Sequence, residues 1–300
     1  TEITNFNIKN KKKNKCIINL HFSYIVINLI LANAGIDLTN ILNNSKYTNE
    51  KKILKEHLNK SITHLLEGIS YLHFNNITHK DIKPDNICIQ IVNNKPLLKF
   101  IDFGLSEDLS EYEKKYKNII YSGTPCYMSP DYLVLLELIT GNLMHNINQL
   151  STRNLSEIVN NCYSSLKENM SSFTKKGLNK KFLNVIQSNE DSFERLTFNS
   201  SIIKTKNINQ HNLINKKDIY DLLMYIINLY KKKKLLDTYF EPVNGINAKL
   251  DIYSLGLIFF EMVIDLKSDN LLLIKLIKNM LELNSIDRYS IKDCLNQNIN

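Results

Sequence analysis

His79-Lys80-Asp81-Ile82-Lys83-Pro84-Asp85-Asn86 is the stretch that decides the reading of this chain, and Ile101-Asp102-Phe103-Gly104 is its complement. Asp102 stands sixteen residues beyond Asn86. Asp is a common turn former, so each stretch alone is a weak signal. Together they offer two carboxylates, Asp81 and Asp102, a cation, Lys83, and a neutral oxygen donor, Asn86.

That set suits phosphoryl transfer, whose transition state calls for positioning and charge neutralisation more than covalent help. The two stretches resemble the catalytic loop and the metal-binding loop of the eukaryotic-type Ser/Thr protein kinases. The resemblance implies that Asp81 orients the substrate hydroxyl and accepts its proton, and that Lys83 meets the transferred phosphoryl group. It implies that Asn86 and Asp102 hold Mg²⁺, a cation that prefers oxygen ligands. His79 and Phe103 read as packing and orienting residues.

Working outward, Ile87-Cys88-Ile89-Gln90-Ile91 and Leu97-Leu98-Lys99-Phe100-Ile101 predict a hairpin through Asn93-Asn94. By resemblance, Cys88 lies under the adenine ring of ATP, smaller and softer than the leucine usual there, and Ile101 lines the same pocket. Upstream, helical spacing of Leu54, Leu58, Ile62, Leu65, Leu66, Ile69 and Leu72 predicts one helix over 49–75, with Thr48 as its N-cap. Cys16 to Leu20 and Tyr24 to Ile27 are short β-branched runs that predict two neighbouring strands. Asp37 reads equally well as the partner of a ribose hydroxyl at the exit of the interlobe hinge or as a helix N-terminal carboxylate.

The expected fold class is therefore α+β and protein-kinase-like, with a mainly helical C-terminal lobe and a partial β-rich N-terminal lobe. Residues 1–36 read as partial small lobe and hinge, and 37–131 as large lobe with catalytic and activation segments. Residues 132–247 read as an insertion with helical stretches at Leu133–Ile139, Leu155–Leu166 and Lys217–Lys232, and 248–300 as the C-terminal helices of the large lobe. The chain looks like one that starts inside the small lobe: Gly35 and Gly68 are its first glycines, so no Gly-rich phosphate loop can be built there. Glu2 falls about where the family carries a helix Glu, and reads also as an exposed terminal acid.

Downstream of Asp102, Gly123-Thr124-Pro125 and Ser129-Pro130-Asp131 resemble the family's substrate-binding loop and its closing signature, with Ser for Ala and Asp for Glu. Arg288 is the expected ion-pair partner of Asp131. Thr124 with Lys83 implies a protein substrate offering a Ser or Thr hydroxyl, with Thr124 bridging Asp81 and Lys83. Lys80 stands where the family usually has Arg, and Lys cannot reproduce a bidentate fork to a phosphorylated loop. Phosphorylation of the loop, with Tyr116, Tyr121 and Ser122 as candidates, is thus expected not to be strictly required for activity. Asp251, in Asp251-Ile252-Tyr253-Ser254-Leu255-Gly256, is expected to hold the catalytic loop from below.

Composition narrows the rest. With 43% hydrophobic and 23% charged residues, the chain can bury a core and is not a disordered one. Five scattered cysteines without a C-x-x-C pair argue against a disulfide framework or zinc site and for a reducing, intracellular compartment. The apolar run Tyr24 to Ala32 is too short to span a bilayer, so no membrane partner is expected. The net charge of +8 gathers at Lys9 to Lys15, Lys175-Lys176, Lys180-Lys181 and Lys231 to Lys234. Those clusters fit an acidic partner or simply solvated faces, and without interleaved aromatics they argue against nucleic acid. Two other readings stand beside the kinase: a regulatory binding module without catalysis, and a small-molecule phosphotransferase of related fold.

Overall fold

The structure, a computed structural model, describes residues 15–22, 25–110, 123–141, 143–144, 149–175 and 216–299, and within them the side chains of all but 15–32 and 166–175. Glu2, Tyr116, Tyr121, Ser122 and the lysines at 9–13, 176, 180 and 181 lie outside the described residues.

Strands β1 (Lys15–Phe22) and β2 (Ile25–Ala32) pair antiparallel from Lys15↔Ala32 to Phe22↔Ile25. A short β3 (Ile36–Asp37) then joins a second sheet of order β3-β5-β6, with β5 at Ile87–Val92 and β6 at Lys95–Phe100. The turn of this hairpin has Asn93 and Asn94 at φ 50° and 58°, the left-handed pair that a two-residue type I′ turn requires and Asn tolerates. Strands β4 (Ile77–Thr78) and β7 (Glu107–Asp108) form a third pair, Ile77↔Asp108 and Thr78↔Glu107. The remainder is mainly helical.

Helix α1 (Leu38–Asn43) opens under Asp37, whose carboxylate accepts from the Asn40 backbone N–H at 2.8 Å. The helix expected over 49–75 is two helices, α2 (Thr48–Glu56) and α3 (Leu58–Phe74). His57, at φ −114° and ψ 24°, lies outside helical backbone; its N–H closes α2 on the Ile53 carbonyl, while its own carbonyl accepts from the Ser61 N–H and starts α3. The apolar spacing runs through the joint because a one-residue break barely alters which face is buried, so periodicity could not reveal it. Thr48 is the first residue of α2 and not its cap; Tyr47 takes that place without a side-chain bond.

Helices α4 (Pro130–Thr140), α5 (Thr152–Lys175), α6 (Lys216–Lys231) and α7 (Leu235–Phe240) follow, then α8 (Ile246–Asp265), α9 (Leu271–Met280) and α10 (Ile291–Leu295). Asn270 caps α9 by accepting from the Leu272 and Leu273 N–H groups, and Ser290 with Asp293 forms a capping box on α10. Helix α8 is buried on nearly all sides from Ile246 to Ile264, and the polar side chains it carries there, Asn247, Lys249, Asp251 and Ser254 among them, are hydrogen-bonded.

Two apolar clusters meet on α8. One joins Leu54, Ile62, Leu65 and Ile69 with Ile87 and Ile89, and with Ile258, Phe259, Leu276 and Ile277. The other joins Tyr132 to Leu138 of α4 with Ile158, Cys162, Leu223, Ile226 and Tyr239, and reaches Ile246 and Leu250. The helices between 132 and 247 therefore share a core with the segments on either side of them. Among the described residues no helix is long and apolar enough to cross a membrane.

Candidate active site

The loop from His79 to Asn86 hangs between β4 and β5 and is held by α8. Both oxygens of the buried Asp251 carboxylate accept loop N–H groups, Oδ2 from His79 at 2.8 Å and Oδ1 from Lys80 at 2.8 Å. His73 Nε2 lies 3.1 Å from the same Oδ2. Lys80 is thereby kept at φ 68°, a conformation that costs a non-glycine residue energy and that persists only where surrounding contacts over-determine it. Gly123 crosses against this bend at φ 113°, and a Cβ there would meet the Lys80 carbonyl oxygen at 2.5 Å. Glycine is thus required for the chain at 123 to approach the loop so closely.

Asp81 is the hub. Its Oδ1 accepts from Thr124 Oγ1 at 2.6 Å, and its Oδ2 accepts from Asn86 Nδ2 at 3.0 Å and lies 2.9 Å from Lys83 Nζ. Lys83 Nζ also donates to Thr124 Oγ1 at 3.0 Å, so the threonine hydroxyl bridges carboxylate and ammonium. Burial pushes the Asp81 carboxyl up, but the hydrogen bonds from Thr124 and Lys83, the Lys83 charge and the Asn86 amide outweigh it. The group ends below its ordinary value. At neutral pH it is a carboxylate, able to accept a proton and to orient a hydroxyl.

Asn86 is buried and directs both donated bonds at Asp81, one to the backbone oxygen at 2.8 Å and one to the carboxylate. Its amide oxygen is then the atom it can offer a cation. Its backbone oxygen accepts from Ile101 N–H at 3.0 Å, and His79 Nε2 lies 3.1 Å from the Ile101 carbonyl oxygen, which ties the two loops together immediately before Asp102. Asp102 is exposed, at φ 62°, and its Oδ1 accepts a 3.3 Å bond from the Gly104 N–H. The His79 ring lies 4.9 Å from that of Phe103 and 5.8 Å from that of Phe100.

Among the described residues no group of three His, Cys, Asp or Glu side chains could hold a metal ion. Mg²⁺ asks for less: one or two protein oxygens, the rest being substrate phosphates and water. The exposed Asp102 carboxylate and the Asn86 amide oxygen are donors of that kind.

The residues expected around a base lie on β3 (Asp37), on β5 (Cys88) and just after β6 (Ile101). Cys88 is buried in β5, paired across the sheet with Asp37 and Lys99, and its thiol is pushed up by burial and by the Asp37 charge. Ile101 is half-buried. Asp37 spends its carboxylate on Asn40, Oδ1 on the backbone N–H and Oδ2 on Nδ2 at 2.7 Å, the helix-terminal arrangement that sequence left as one of two alternatives.

Sequence reasoning missed Glu107 and Asn247. Glu107 Oε2 accepts from Lys80 Nζ at 3.0 Å and from Asn247 Nδ2 at 2.8 Å. Neither residue sits in a motif; the β4–β7 pairing that carries Glu107 to the loop is two residues long and leaves no periodic trace.

The family model described as "Protein kinase domain" matches residues 18–232. Calcium-dependent protein kinase 4 of Plasmodium falciparum (isolate 3D7) is 47% identical over 73 residues, 24% of this chain and 13% of the relative. Serine/threonine-protein kinase D2 of Rattus norvegicus is 36% identical over 88 residues, 29% of this chain and 10% of the relative. The aligned segments thus span only 13% and 10% of the length of these two curated relatives. Among solved structures, the crystal structure of the yeast RNA Pol II CTD kinase CTDK-1 complex aligns with a TM-score of 0.36 at 19% identity, covering 95% of this chain and 74% of that one.

Proposed function

We propose, from the premise that this chain belongs to the protein kinase domain family, that it transfers the γ-phosphoryl group of ATP to a Ser or Thr hydroxyl of a protein substrate. In this reading the acceptor oxygen forms its bond to the γ-phosphorus as the bond to the β-phosphate oxygen breaks. The hydroxyl proton goes to the Asp81 carboxylate, and ADP is the leaving group. Lys83 faces the transferring phosphoryl group as a point charge. Asn86 and Asp102 are the residues that would hold Mg²⁺, which supplies charge neutralisation to the phosphates when bound. Cys88 and Ile101 would line the base pocket, and Asp37 would reach a ribose hydroxyl only by leaving Asn40. Residues 132–247 are read as an insertion whose helices present a docking face. The exposed Lys231 to Lys234 at the end of α6 fit an acidic stretch of the substrate.

The observation that supports this reading is the Thr124 hydroxyl held between the Asp81 carboxylate and the Lys83 ammonium. A small-molecule phosphotransferase has no need of a substrate-loop hydroxyl at that point. The test is transfer of labelled γ-phosphate to a Ser/Thr-bearing protein by the whole gene product, followed by identification of the phosphorylated amino acid. Label on Ser or Thr is expected. Thr124→Ala should lower kcat at least about tenfold, since a hydrogen bond to a charged group is worth about 1.5–3 kcal/mol, while Thr124→Ser should restore most of the rate. Absence of transfer with ATP still bound would favour the regulatory binding module, and label on Tyr or on small acceptors alone would refute the Ser/Thr assignment.

A further inference from the structure

We infer that Glu107 and Asn247 are positioning residues of the catalytic loop, acting on Asp81 through the ammonium of Lys80. The inference rests on the phosphoryl-transfer reading of Asp81.

The Lys80 side chain is 3% exposed and the Glu107 side chain 11%. A cation so deeply placed needs a counter-charge and hydrogen bonds, and Glu107 Oε2, at 3.0 Å, supplies both. Glu107 is itself held from three directions. Its backbone is paired with Thr78 across β4 and β7. Its Oε2 accepts from both Lys80 Nζ, at 3.0 Å, and Asn247 Nδ2, at 2.8 Å. Asn247, fully buried, also reaches Thr78 Oγ1 at 3.2 Å.

Asn247 and Asp251 stand four residues apart on α8, so they share one helix face. From that face Asp251 takes the backbone N–H of Lys80, and Asn247, through Glu107, fixes the tip of the same side chain. Lys80 is gripped at both ends in a left-handed bend one residue before Asp81. If the grip at the tip is lost, the buried ammonium has to move to water. The bend then relaxes, and the Asp81 carboxylate turns away from Thr124 and Lys83.

The test compares wild type, Glu107→Gln, Asn247→Leu and the charge exchange Lys80→Glu with Glu107→Lys. The readouts are kcat, KM for Mg·ATP, and amide hydrogen exchange over residues 77–86 and 252–264. Glu107→Gln is expected to lower kcat tenfold or more with KM within twofold. Exchange over 77–86 should rise severalfold while 252–264 stays protected. Asn247→Leu should do the same to a lesser degree, and the charge exchange should recover at least half of the lost rate. Wild-type kcat and exchange in Glu107→Gln would overturn the inference, as would a uniform loss of protection that the charge exchange does not repair. If the wild type transfers no phosphate, the phosphoryl-transfer reading falls, and hydrogen exchange alone decides whether Glu107 holds the loop.

Discussion

Asp81→Asn is expected to cut phosphoryl transfer by about 10²- to 10⁴-fold, the range a positioned general base contributes, with the fold retained. The side chain keeps its size and can still accept from Thr124, but it loses the charge that faces Lys83 and the capacity to take a proton. The pH dependence has a definite sign. Burial raises the Asp81 carboxyl, and the bonds from Thr124, Lys83 and Asn86 together lower it further than burial lifts it. A depressed carboxyl stays ionised down to its lowered value. The rate and the local stability it contributes are therefore present at and above the ordinary carboxylate range and are lost as pH falls through the folded-state value. Steady-state rates of wild type and variant, with circular dichroism to confirm the fold, check this; a variant within threefold of wild type would remove Asp81 from its proposed role.

The largest effect on stability is expected at Asp131. Its carboxylate and the Arg288 guanidinium are both fully buried and 2.9 Å apart. Asp131 also accepts from the Ser285 N–H at 3.2 Å. Arg288 donates to the carbonyls of Glu282, Lys249 and Leu283, and lies 5.1 Å from the Tyr253 ring. The pair pins the start of α4 to the segment that leads into α10, far apart in sequence. Asp131→Ala leaves that guanidinium buried with backbone carbonyls and the Tyr253 ring but without its carboxylate partner. Breaking a buried pair one-sidedly costs about 3–5 kcal/mol, a large share of the total stability of a domain. Urea unfolding should show the free energy of unfolding lowered by that amount, as a lower midpoint at unchanged slope, and a loss below about 1 kcal/mol would mean that Arg288 finds water or another anion.

Much of this was legible in sequence because the informative residues sit in contiguous loops. His79 to Asn86 and Ile101 to Gly104 are each one short run of chain, so each could be read as a unit. The strands at the N-terminus and the hairpin through Asn93-Asn94 followed from β-branched runs and a turn with a chemical reason. Arg288 could be named as partner of Asp131 because each had a motif to itself. What stayed hidden depends on contacts without periodicity. The break at His57 changes hydrogen bonding while preserving the buried stripe of α2 and α3. Tyr47 stands at the cap position of α2 without a side-chain bond, so the more obvious Thr48 misled. Glu107 and Asn247 meet across 140 positions of sequence, and nothing in either neighbourhood marks them as partners. Asp37 had two reasonable uses, and its bonds to Asn40 serve the nearer one.

The central claim is that Asp81, Lys83, Asn86 and Asp102 together receive one magnesium-bound nucleotide. It is tested most directly by titrating the whole gene product with a fluorescent ATP analogue, with and without Mg²⁺, in wild type, Asp102→Asn and Asp81→Asn. The account predicts binding that tightens at least about tenfold with Mg²⁺ in wild type and in Asp81→Asn, and that loses this dependence in Asp102→Asn. Equal affinity with and without the cation in wild type, or an unchanged dependence in Asp102→Asn, would contradict it.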